Sequence, residues 1–343
     1  MTNRKEWNVG IGILKCWMCF EVVMCHCFSY SEDANFFVRF LADVRNIAVP
    51  VFMIISFFLF SDSLSLCKSK TMIKRIRRLA TPLIGWAIGY YLLKLFFCLF
   101  VETEKPQVVN IVWQIITGHS SYVNPAMWFL TVQIVLVVIF WIVGILLKEK
   151  AFYAHIVLAG LAVAWEYSDA FRLLDSFRYE IKYPLGRLAP MLLCAVVGYF
   201  AGKRQWLDML KEKWKESIFA FLIVIYLIKN YAIFSSIDGW GYQGVGTVLK
   251  AFMAVAIFYL LPLEKMPSKA KNVIKQMTRY TLGIYCLHNM VFLYLDTACI
   301  HWKINFRKTT LWPSVIVYII CYIVCCLSAY LFRKIRIIKD MFE

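Results

Sequence analysis

Charge is scarce in this chain, and acidic charge most of all. Only 17% of its 343 residues are charged, with 21 Asp and Glu set against 38 Lys and Arg. Soluble globular chains run at about 25% charged and about 45–50% apolar residues, whereas 61% here are hydrophobic. Internal repeats, low-complexity tracts and a Walker-type phosphate loop are missing. The glycine-rich run Gly239-Trp-Gly-Tyr-Gln-Gly244-Val-Gly246 neither follows a strand nor opens a βαβ unit, so it reads as a loop before an apolar segment. No small-x-small cleavage pattern follows Phe28, so the first apolar stretch reads as a retained helix and not a signal peptide. The twelve cysteines lie mostly in apolar stretches, where they act as small hydrophobes. Cys16 and Cys19 form a C-x-x-C without a second ligand pair, so neither a metal site nor a disulfide framework is expected.

What is present is a series of apolar runs near the length needed to cross about 30 Å of hydrocarbon, roughly 20 residues each. Ten candidates follow one another: Val9–Phe28, Ile47–Leu66, Leu79–Phe100, Met127–Leu147, Ala151–Tyr167, Leu185–Gly202, Ile218–Phe234, Val245–Leu263, Tyr280–Leu295 and Leu311–Phe332. Val108–Thr117 is too short to span and reads as an interfacial or re-entrant piece. The net charge of +17 is distributed by side of the membrane. With the N-terminus inside, 24 of the 38 Lys and Arg fall in cytoplasmic segments and ten on the opposite side. Lys15, Lys94, Lys229 and Lys250 fall within spans. This bias expects both termini in the cytoplasm and excludes nucleic-acid binding as the reason for the charge. The loops are short, so residues 1–343 form a single all-α, polytopic membrane helical bundle with no attached soluble domain.

Chemistry then falls to the few polar residues in and beside the spans. His26 lies near the end of the first run, and Lys15 lies eleven positions earlier. Eleven steps of about 100° come within about 20° of three full turns, so the two share one helix face, roughly 16 Å apart along the axis. An ionisable residue inside a span is costly and marks a functional site by default. Buried histidine tends to stay neutral and able to take a proton, which suits a general base on an alcohol; the plainer reading is an interhelical hydrogen bond. Lys15 is read either as a snorkelling side chain or as part of the same site. Glu21 sits roughly 140° around the helix from His26 and is free to partner another span.

Arg75 and Arg78, at i and i+3 before the third run, suit either ordinary membrane anchoring or a bidentate clamp for the phosphates of a nucleotide-containing cofactor such as coenzyme A. Arg45 marks the outer entry of the second run, with Asp43 in pairing range along the chain. Trp128 is explained by an aromatic belt, and His288 by hydrogen bonding with Asn289 or Tyr285 nearby. Pro50, Pro82 and Pro190 fall at or near span ends.

Taken in order, these residues resemble the acyltransferase-3 family of integral membrane acyltransferases. The resemblance rests on Lys15-x10-His26, Arg45-Asn-Ile-Ala-Val-Pro-Val-Phe-Met-Ile-Ile-Ser56, Arg75-x-x-Arg78 with Leu79 and Pro82, Trp128-Phe-Leu130 and Gly283-Ile-Tyr-Cys-Leu-His288. It covers essentially the whole chain. Two positions depart from the family pattern: Lys15 stands where an arginine is usual, and Phe57 where a glycine usually follows the second-span serine.

The resemblance implies about ten spans and transfer of an acyl group, most often acetyl, from cytoplasmic acetyl-CoA or another acyl-CoA. The acceptor is a hydroxyl of a cell-surface or lipid-linked glycan, and the setting a bacterial cytoplasmic membrane. His26 and Lys15 would be catalytic, Arg75, Arg78 and Arg45 would hold the cofactor, and Trp128 and His288 would meet substrate; no metal is implied. The competing class is a transporter or flippase in which the intramembrane lysines and histidines form a path for substrate.

Overall fold

The computed structural model is described for residues 7–24, 46–65, 69–99, 107–119, 124–168, 176–177, 179–203, 206–230, 245–301 and 311–335. His26, Arg45 and Asp43 lie outside the described residues, as does the run 239–244. Among the described residues the architecture is all-helical, with no strand. In chain order the helices of ten or more residues are α1 (Val9–Met24), α2 (Ala48–Ser65), α3 (Ser69–Phe97), α4 (Val108–Thr117), α5 (Trp128–Leu147), α6 (Ala151–Tyr167), α7 (Tyr179–Lys203), α8 (Trp214–Asn230), α9 (Val245–Leu260), α10 (Ser268–His301) and α11 (Leu311–Phe332). Each of the ten apolar runs overlaps one of them, and α4 is the short extra piece. Among the described residues, three segments are long and apolar enough to cross a membrane: Ser69–Phe96, Trp128–Leu147 and Ile181–Lys203. Several others, including Ala48–Ser61, Ala151–Trp165 and Val245–Leu260, are apolar but shorter.

The structure extends several helices beyond their apolar runs, α3 and α10 furthest. α3 begins ten residues before Leu79, and α10 runs for 34 residues where hydropathy marked only Tyr280–Leu295. At about 1.5 Å per residue α10 is roughly 50 Å long, well beyond the hydrocarbon thickness. Hydropathy stops where charge begins, but a helix need not. The basic clusters Lys74–Arg78 and Lys269–Arg279 therefore ride on rigid helix instead of loops. For the same reason Pro82 is internal to α3, and Pro184 and Pro190 are internal to α7, so the expectation for Pro82 and Pro190 is corrected. Bundles tolerate such prolines where neighbouring helices satisfy the freed carbonyl.

α2 is the organising helix. It packs against α7 on one side and also touches α1, α5 and α9. Glycine makes the α2–α7 approach possible. A Cβ at Gly198 would stand 2.3 Å from the Ile54 carbonyl oxygen, and one at Gly202 would stand 2.4 Å from that of Phe58. This is small-x-x-x-small packing, in which backbones meet because no side chain keeps them apart. Ile54 and Phe58 are one turn apart, so Ser56, midway between them, points to the opposite face of α2. α5 starts where the Asn124 side chain accepts the Ala126 N–H at 2.9 Å, with Pro125 opening a single turn of Pro125–Met127.

Candidate functional site

The face of α2 that bears Ser56 borders a cavity of about 890 Å³, within the size range of small-molecule and cofactor sites. Its lining carries six cations: Lys15 of α1, Lys74, Arg75 and Arg78 of α3, Arg279 of α10, and Arg333 just past α11. Among the described residues no carboxylate lines it. Lys74 and Arg78 are exposed, whereas Lys15 and Arg75 are only partly accessible. Lys15 makes no ion pair among the described residues and feels the positive charge of both Arg75 and Arg78. Four helical segments thus bring six cations to one cavity whose described lining carries no carboxylate.

Arg75 turns inward. Its guanidinium lies 3.9 Å over the Phe60 ring, and Nη2 donates to the Ser56 carbonyl oxygen at 3.2 Å and also to Ser56 Oγ. Gln133 of α5, which is buried, donates Nε2–H to the same Ser56 Oγ. Both donors line the cavity with Ser56. The inner part of the cavity is therefore a bonded cluster from three helices.

The structure brings Lys15, Arg75 and Arg78 into one cavity. Trp128 and His288 stand apart from it. Trp128 is 4% exposed and packs edge-on against Tyr183, at 6.1 Å between ring centroids, while its neighbours Phe129 and Leu130 line the cavity. His288 is fully buried, with Nδ1 2.5 Å from the Tyr285 carbonyl oxygen one turn earlier on its own helix. The interhelical bonds beside it come from Tyr285, whose hydroxyl donates to the Ala126 carbonyl, and from Asn289 Nδ2, which donates to Asn124 Oδ1 at 3.1 Å. Glu21 is buried as well, and its Oε1 accepts Trp17 Nε1–H at 2.7 Å. Phe57 does not line the cavity; it faces α5, with its ring 4.8 Å from that of Phe140.

Sequence reasoning did not single out Ser56, Gln133, Arg279 and Arg333, which also line the cavity. Gln133 left a signal, being a carboxamide inside the apolar run Met127–Leu147. Arg279 and Arg333 left none, since a basic residue at a helix end looks the same whether it faces headgroups or a cavity.

These features define a class: a helical membrane protein with a cation-lined chamber within its bundle. Comparison with known families is more specific. The chain belongs to the acyltransferase-3 family, whose model, described as an acyltransferase domain, matches residues 8–333. No curated protein and no solved structure matches it. It is accordingly a membrane acyltransferase in general terms.

Proposed function

We propose that the chain transfers an acyl group, most often acetyl, from cytoplasmic acyl-CoA to a hydroxyl of a cell-surface or lipid-linked glycan in a bacterial cytoplasmic membrane. The observation that carries the reading is the cavity of about 890 Å³ with six cations and no described carboxylate. Coenzyme A brings a diphosphate and a third phosphate, and fork-shaped guanidinium groups suit such oxygens. Arg78, Lys74, Arg279 and Arg333 hold the phosphates at the cytoplasmic mouth, with Arg45 assigned to the same cofactor. Lys15 and Arg75 guide the thioester arm inward. His26 takes the proton of the acceptor hydroxyl, or carries the acyl group briefly, and returns that proton to the departing thiolate. Trp128 and His288 are assigned to the acceptor side.

The test uses the full-length protein in lipid nanodiscs with labelled acetyl-CoA and membrane glycan extract. Free CoA and labelled glycan should appear together. His26→Ala should lower turnover by about 10²–10⁴-fold while leaving acetyl-CoA binding intact. Full transfer by a well-expressed His26→Ala chain refutes the role of His26. A chain that releases no CoA yet moves an anion across vesicles supports the transporter reading instead.

A further inference from the structure

The hydroxyl of Ser56 is held in an unusual way. A serine oxygen has two lone pairs and one proton. Here Arg75 Nη2 and Gln133 Nε2 both donate to it. A guanidinium cannot accept a hydrogen bond, nor can a carboxamide nitrogen, so both lone pairs are occupied. Helical hydroxyls ordinarily return their proton to a carbonyl one turn earlier. Ser61 does so to Phe58 at 2.9 Å, Thr117 to Trp113 at 2.7 Å and Thr281 to Thr278 at 3.0 Å. The Ser56 hydroxyl donates to no described residue, and Ser56 lines the cavity. With two donors held on the oxygen, its O–H bond points away from them. The adjoining guanidinium also polarises that bond, strengthening it toward a negatively charged acceptor.

We propose that Ser56 is a catalytic residue whose hydroxyl stabilises the oxyanion of acyl transfer, with Arg75 and Gln133 as the positioning residues that aim it. The proposal rests on the acyl-CoA reading above. The acceptor oxygen forms a bond to the thioester carbonyl carbon, and the carbonyl π pair moves onto its oxygen. That oxyanion accepts the Ser56 hydrogen bond. The pair then returns, the C–S bond breaks, and the thiolate leaves with the proton first taken from the acceptor. Ser56 keeps its own proton throughout. With both lone pairs engaged it is not the nucleophile, and no acyl-serine forms. A donor set in place before the reaction needs no reorganisation as charge develops.

The experiment measures acetyl-CoA binding and CoA release separately, on full-length protein in nanodiscs, with propionyl- and succinyl-CoA as further donors. Ser56→Ala should bind donor within about twofold of wild type and lose about 10²–10³-fold in turnover. Gln133 supplies the discriminating pair. Gln133→Met removes one donor and should reduce turnover mildly. Gln133→Glu instead accepts the Ser56 proton, turns it from the cavity, and should match Ser56→Ala while retaining donor binding. Near-wild-type turnover by Ser56→Ala, equal turnover by the two Gln133 variants, or an acyl adduct on Ser56 by mass spectrometry overturns the proposal. If the wild-type chain releases CoA from none of the three donors, the acyl-transfer reading itself fails.

Discussion

Adding one methyl group at Gly198 should have an effect far larger than its size, because the helix that carries Ser56 is held against α7 at that point. The Cβ of Gly198→Ala would fall 2.3 Å from the Ile54 carbonyl oxygen and 3.0 Å from the Ile54 Cα. Ordinary contact begins near 3.4 Å, so α2 and α7 must part by roughly 1 Å over that turn. Both close atoms belong to backbone, and no rotamer change relieves the clash. Overpacking a filled interior typically costs about 1–3 kcal/mol. A control is built into the fold: Gly160 on α6 is exposed, and a Cβ there meets nothing within 4 Å. Gly160→Ala should stabilise its helix by about 0.5–1 kcal/mol through lost backbone entropy in the unfolded chain. Both variants are compared with wild type by denaturant-induced unfolding in mixed micelles. Acyl transfer is then measured at a temperature where all three are folded. Gly198→Ala should be the least stable and should also lose turnover, because α2 carries Ser56 toward Arg75 and Gln133. Equal stability of Gly198→Ala and Gly160→Ala would refute the packing argument.

Two further outcomes follow from the same geometry. Phe57→Gly, which restores the residue usual in the family, should destabilise the bundle by about 3–5 kcal/mol by emptying the space against Phe140, with unfolding in mixed micelles as the readout. It should not improve acetyl-CoA affinity, since Phe57 does not line the cavity. Arg78→Ala, at an exposed position, should weaken acetyl-CoA binding by about tenfold at low ionic strength and by less as salt is added. Titration at two salt concentrations checks this, and an unchanged affinity at low salt counts against a phosphate contact.

Much of the helical architecture was legible because a helix in hydrocarbon must satisfy its own backbone and be apolar over most of its length. Boundaries were less legible wherever a helix outlasts its apolar stretch, as at Ser69 and Ser268. The pairing of Arg75 with Arg78 follows from local periodicity, and both line the cavity. Their meeting with Lys15 does not follow from any local rule, since α1 and α3 are joined only through the packing of the bundle. The cluster of Ser56, Arg75 and Gln133 is less legible still. Gln133 is 77 residues from Ser56, and the bond exists only because α2 and α5 are adjacent. Phe57 shows the reverse limit. Its departure from the family glycine does not say where the ring goes, and the structure turns it toward α5.

The inner cavity also explains why so polar a set of residues persists within an apolar bundle. Isolated charge in a low-dielectric interior is strongly disfavoured, and like charges add repulsion to desolvation. Lys15 and Arg75 face that cost with no carboxylate partner among the described residues. Part of it is relieved locally. Arg75 gains two hydrogen bonds to Ser56 and the face of Phe60. The cavity also reaches exposed Lys74 and Arg78. On the proposed function, an anion entering the cavity offsets what remains of that cost at Lys15 and Arg75. An interior of this kind is poorly suited to maximal stability of the empty protein and well suited to differential binding. Such electrostatics act most strongly where water is excluded and charge develops during the reaction. On the proposed function, residues that look like defects in an apolar helix are the ones that give it chemistry.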